Sequence, residues 1–170
     1  MVAYGVWTAA ELDRVAAMIG RPVTESDVEP GTWIIAEPGR SATGLAYLAA
    51  IESFHNVSRE TAKFWSEEGF DLLLTPTVPE PPPLLGQFHD DNNPLAGLMR
   101  SSQIIPFVAP FNITGQPAIS LPLHMSEMGL PIGVQFVAAS YREDLLLRLA
   151  AELETTMPWS TAPVVPNGNR

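Results

Sequence analysis

Side chains able to do chemistry are sparse in this chain. It has no cysteine, which removes thiolate metal sites, cysteine nucleophiles and disulfides together. The three histidines, His55, His89 and His124, fall in different segments, and only His89 has acidic neighbours in Asp90 and Asp91. A His-Asp-Asp run could offer metal ligands or an acid–base pair, but adjacent residues seldom converge on one ion without ligands from elsewhere. The run reads more simply as an entrance loop, and a metal hydrolase centred on it is the weakest of three readings. The most ordered stretch, FNITGQPAISLPLHMSEMGLPIGVQF at 111–136, holds one isolated histidine and no lysine. Such a stretch positions a substrate for groups that lie elsewhere.

The surrounding pattern shows what would position it. TAAELDRVAAMIG spaces Leu12, Val15, Ala16 and Ile19 at helical intervals, with Thr8 and Glu11 in capping-box order and Gly20 as the stop. TWIIAEPGR predicts one or two further turns, broken at Pro38 and Gly39. A longer helix is expected from Ser41 to Glu68, with Leu45, Leu48, Ile51 and Phe54 as its inward stripe and Gly69 ending it. FDLLLTPT reads as a strand buried on both faces. The proline-rich segment at 78–94 predicts a long irregular loop of the kind that lids and binding loops use. A broken helix, PLAGLMRSSQIIPFVAPFNITG, leads to PAISLPLH and LPIGVQFVAA, two strands joined by MSEMG as a hairpin. REDLLLRLAAELETT closes the fold as an amphipathic helix with Leu145, Leu149 and Leu153 on one face. In TGQP at 114–117, Gly115 is expected where a side chain does not fit, and Pro117 sets the direction of the strand that follows.

Composition bounds the function. At 170 residues the chain predicts one core, and 46% hydrophobic with 16% charged residues argues for a folded protein. Nineteen acids against nine scattered bases give a net charge of −10, so no basic stripe exists to follow a nucleic acid. The sequence shows neither a membrane-length apolar run nor a signal peptide, which gives the expectation of a cytoplasmic protein with no membrane partner. Asn56-Val57-Ser58 and Asn112-Ile113-Thr114 match a glycosylation pattern in form only. Trp33, Trp65 and Trp159 read as core or interface aromatics.

Taken in order, DLLLTPT, PFNITGQPAISLP, GLPIGVQF and LLLRLAAELE resemble the C-terminal portion of an amidase signature family enzyme, and the upstream helical segment follows the same family. NITGQPAISLPLH and the ending TMPWSTAPV resemble in particular the bacterial branch that includes the 6-aminohexanoate cyclic dimer hydrolases. The resemblance implies an α/β fold, a mixed sheet flanked by helices, with residues 1–170 as the C-terminal part of one domain. It implies serine-dependent hydrolysis of carboxylic amides, with no cofactor. Family members use a lysine, a bridging serine and a nucleophilic serine in a Gly-Ser-rich segment whose amides form an oxyanion hole. Those groups precede the portion matched here. Lys63 lies in SRETAKFWSEE, a solvated helix face, and Ser101-Ser102 lacks the glycines that would aim amides at an oxyanion, so it reads as loop or helix start.

For substrate binding the resemblance points to the segment before PFN, where Ile104, Ile105 and Phe107 stand in place of the acidic residue that relatives use for amino-acid substrates. An apolar or uncharged amide is then expected, although the same residues also fit ordinary core packing. Gln116 belongs to the same candidate set, as does Asn112, which faces either substrate or neighbouring backbone. An amidase portion of this kind would expose apolar sheet and helix surface, so its partner is the remainder of an amidase chain or a second copy. A free-standing, truncated, non-catalytic binding or dimerisation module is the alternative.

Overall fold

The computed structural model describes residues 1–90 and 92–159; Asp91, and the end of the TMPWSTAPV motif from Ser160 on, lie outside them. Two compact units emerge, Met1–Val57 with Leu85–Ser102, and Ser58–Leu84 with the residues from Gln103 on. Each has its own cluster of buried side chains.

In the first unit, α1 spans Val2–Ile19 and starts well before Thr8. Thr8 is helix interior and no cap, because its hydroxyl donates to the Tyr4 carbonyl one turn back at 2.9 Å. The reciprocal cap forms later, at Thr24, whose backbone N–H and hydroxyl both donate to the Asp27 carboxylate at 2.8 and 2.7 Å, closing the short 3-10 turn Glu25–Asp27. Gly20 ends α1 with φ 72°, as its sequence position predicts.

Helix α2 runs Pro30–Arg40 and is longer than the one or two turns expected. Pro30 occupies the first turn, where a missing N–H costs nothing, and Pro38 is carried inside the helix. The reason is tertiary. Gly39 meets Gly5 of α1 backbone to backbone, so the helix must persist far enough to present it. Ala9, Leu12, Val23 and Ala36 form the buried cluster beneath, with Val15, Ala16, Val28 and Trp33 around it. The Arg40 guanidinium stacks 5.9 Å from the Trp33 ring centre and bonds Asp13 at 2.9 Å.

Helix α3, Gly44–Ser66, contributes to both units and buries no residue fully. Half of the expected inward stripe is exposed: Leu45 is 81% exposed and Leu48 63%, whereas Ile51 and Phe54 are partly buried. Helical spacing makes a stripe but does not supply the surface that covers it.

The second unit is a three-stranded sheet, order β1-β3-β2, with β1 Leu72–Pro76, β2 Ala118–Met125 and β3 Pro131–Ala138. Among the described residues every pairing in it is antiparallel. MSEMG makes the predicted hairpin: Gly129 takes φ 75°, its N–H donates to the Ser126 carbonyl at 2.9 Å, and the Ser126 N–H donates to Leu130 at 2.8 Å. A register shift between Leu121 and His124 coincides with Pro122, which cannot serve a regular ladder. One sheet face receives α6, Glu143–Thr156; Leu121, Phe136, Ala138 and Leu146 are buried there, flanked by Leu149, Leu153 and Trp159. Burying Phe136 and Leu146 contributes about 1.5–3 kcal/mol each. Strand β1 departs from expectation, since Leu74 is 61% exposed. An LLL run between polar turns cannot distinguish a strand covered on both faces from an edge strand such as this one.

Candidate functional site

The face of the sheet opposite α6 carries a polar strip beside apolar Leu73, Val137 and Ala118, and the register explains it. Thr75 pairs with Gln135, and Gln135 with Ser120, so strand alternation puts these three side chains on one side with Gly133 two residues away. Thr77, just past the end of β1, hydrogen-bonds Ser120, hydroxyl to hydroxyl, at 2.5 Å. Gly133 makes room for that pair. A Cβ there would lie 2.7 Å from Thr77 Oγ1 and 2.8 Å from Ser120 Oγ. Gln135 is 4% exposed, and its carboxamide donates to Thr75 Oγ1 at 3.1 Å and to the Phe107 carbonyl at 2.7 Å.

Beside this polar strip is a cleft of about 360 Å³. Pro76, Val78 and the Pro81–Pro83 run form one wall, Ile104 another, and Pro131, Ile132 and Gly133 complete it. Glu80 is the one ionisable residue in the lining, so the cleft suits a ligand with little charge.

The expected binding residues do not all converge. Ile104 ends α4, Ala96–Ile104, and lines the cleft. Phe107 lies in the break between α4 and α5, Ala109–Thr114, and meets Gln135 through its backbone. Ile105 and Asn112 are exposed, and neither they nor Gln116 line the cleft. Gln116 is buried, with its side-chain oxygen accepting from the Thr114 hydroxyl. Gly115 corrects its prediction: nothing lies within 4 Å of its Cβ position, and the glycine is needed for φ 77° instead. Ser101 and Ser102 also differ from expectation, lying inside α4, with the Ser102 hydroxyl donating back to Met99 at 2.7 Å. Lys63 bonds Glu60 at 2.9 Å on the exposed side of α3. His89 and Asp90 line a separate hollow in the first unit, among Glu29, Thr32 and Asn93.

Gln135, Thr75, Thr77, Ser120 and Gly133 escaped the sequence reading. The available signal was a glutamine in an otherwise apolar strand, GVQFVA, at a position that alternation buries.

The Amidase family model matches residues 4–147. This chain belongs to the amidase family. A 6-aminohexanoate-cyclic-dimer hydrolase of Paenarthrobacter ureafaciens is 42% identical over 157 residues, 89% of this chain and 32% of its own length. A hydrolase of the same description from a Pseudomonas species is 41% identical over 157 residues. A solved structure of 6-aminohexanoate cyclic dimer hydrolase matches with a TM-score of 0.83 at 42% identity, covering 91% of this chain and 33% of that one. The amidase portion seen here thus spans about a third of the length of these relatives. The α/β architecture and the family are those its motifs implied.

Proposed function

We propose that these 170 residues are the C-terminal part of an amidase signature domain, supplying framework and a substrate cleft for serine-dependent hydrolysis of a carboxylic amide. The observation that carries this reading is agreement in sequence and in shape with one third of a cyclic-dimer hydrolase, at 42% identity and a TM-score of 0.83. The activating lysine, bridging serine and nucleophile come from sequence that precedes this portion. Lys63 is engaged by Glu60, and the Ser102 hydroxyl by its own helix, which fits neither to that chemistry.

The cleft supports an uncharged, largely aliphatic amide, linear or cyclic. Val78, Ile104, Ile132 and the prolines offer apolar walls, and Gly133, which lines the cleft, is flanked by the hydroxyls of Thr77 and Ser120 outside the lining. Burying a substrate carboxylate there without a cationic partner would be costly. Among the described residues no helix is long and apolar enough to cross a membrane, and a cytoplasmic location is part of the same proposal.

The remainder of the amidase domain, or a second copy of this chain, covers the apolar surface of Leu45 and Leu48 on α3 and of Leu74 on β1. The test combines this chain with the N-terminal two thirds of a related cyclic-dimer hydrolase and measures cleavage of cyclic and linear aliphatic amides. Turnover by the mixture supports the reading. A mixture that associates yet cleaves none of them favours the non-catalytic binding module.

A further inference from the structure

Gln135 makes the one link, among the described hydrogen bonds, that joins the end of β1 to the break between α4 and α5. Its amide nitrogen carries two hydrogens, and both are spent: one on Thr75 Oγ1, one on the Phe107 carbonyl. Thr75 immediately precedes Pro76, which lines one wall of the cleft, and Phe107 follows Ile104, which lines another, by three residues. Gln135 also lies two residues along β3 from Gly133, in the lining between them. Within the break the backbone itself supplies a single turn. Pro106 has no N–H, and the turn is closed by the Ile105 carbonyl, which accepts from Val108 at 3.1 Å and Ala109 at 3.0 Å.

We propose that Gln135 is a positioning residue of the substrate cleft, its buried carboxamide fixing the 105–108 break against β1 and so setting the separation between Ile104 and the proline wall. The inference rests on the amidase reading above for its kinetic consequence but not for its geometry. Two substitutions separate the two bonds. Gln135→Glu keeps size and can still accept from Thr75, but it cannot donate to the Phe107 carbonyl and places a negative charge against it. Thr75→Val removes only the other partner.

Hydrogen exchange on the chain tests the geometry directly. In Gln135→Glu the amides of Val108 and Ala109 should exchange about tenfold faster while those of β2 and β3 keep their protection, and Thr75→Val, which removes the anchor on β1 but leaves the bond to Phe107, should speed them by a smaller factor. Gln135→Met, which keeps the packing and loses the donor without adding charge, should reproduce the faster exchange. Unchanged exchange at these two amides in Gln135→Glu and Gln135→Met overturns the proposal; so does uniform loss of protection through the whole sheet, which marks a merely structural glutamine.

The second readout uses the chain combined with the rest of an amidase domain. Gln135→Glu should raise KM about tenfold for longer aliphatic amides with kcat within about twofold, because the altered wall separation weakens binding more than chemistry. A fall in kcat at constant KM contradicts the proposal. If the unsubstituted mixture cleaves no amide, the functional reading fails and the exchange data alone decide the role of Gln135.

Discussion

Gly39 and Gly5 approach so closely that a Cβ on Gly39 would stand 2.0 Å from the Gly5 carbonyl oxygen. Both partners in this contact are backbone, so nothing flexible can move aside. Gly39→Ala should force α1 and α2 apart and destabilise the protein by about 3 kcal/mol, read as a lower urea midpoint. Gly44→Ala is the control. Nothing lies within 4 Å of that Cβ position, and the change should be neutral or stabilising by about 0.5 kcal/mol.

The hydroxyl pair over Gly133 gives a second prediction. Gly133→Ala puts a methyl against Thr77 Oγ1 and Ser120 Oγ and should cost about 2 kcal/mol. Ser120→Ala removes one obstructing oxygen, so the double substitution should cost less than the sum of the two singles by about 1 kcal/mol. Strict additivity in a denaturation cycle would show that the close approach is absent in solution.

Much of this arrangement was legible because it is local. The MSEMG hairpin, the stop at Gly20 and the α4–α5 break at Pro106 each follow from one or two residues whose backbone preferences leave few options. What misled was context. Thr8 and Glu11 have capping-box spacing, yet the helix continues back to Val2 because Gly5 packs on α2. Leu45 and Leu48 have the spacing of a core stripe, but spacing carries no information about whether the covering surface belongs to the same polypeptide. The cleft was half visible. Ile104 could be singled out only through the family resemblance, as one of the residues before PFN, whereas Gln135 acquires meaning only when the register sets it opposite Thr75.

Acid should weaken the first unit through Asp27. Hydrogen bonds from Arg21, at 2.8 Å to each carboxylate oxygen, and then from Thr24, hold its carboxyl well below the ordinary value of 3.8. A depressed folded-state pKa means that this contribution is complete above about pH 4, where the unfolded carboxyl is also ionised, and is lost as pH falls below that value. Asp27→Asn should therefore be less stable than the parent at pH 7, and the gap should narrow by pH 3. A gap that stays constant between the two would rule out this linkage. The site is exposed, so added salt should also shrink the difference.

The exposed leucines of α3 predict association. Without the rest of an amidase domain, the chain should sediment as a concentration-dependent oligomer, and Leu45→Glu with Leu48→Lys should shift it toward monomer with little loss of helix content. Because neither side chain is buried, the double substitution should lower the thermal midpoint by no more than about 2 °C. A monomer at all concentrations before substitution would contradict the account of these faces.

We propose above that this chain supplies the cradle for an amide while the attacking hydroxyl comes from the rest of an amidase domain. Turnover of aliphatic amides by the purified 170 residues, alone and then with the complementary amidase portion, tests that claim most directly. Alone, cleavage should stay at the uncatalysed rate, and it should appear on addition of the complement. Cleavage by the chain alone, abolished by replacing a single serine or Lys63, would contradict it.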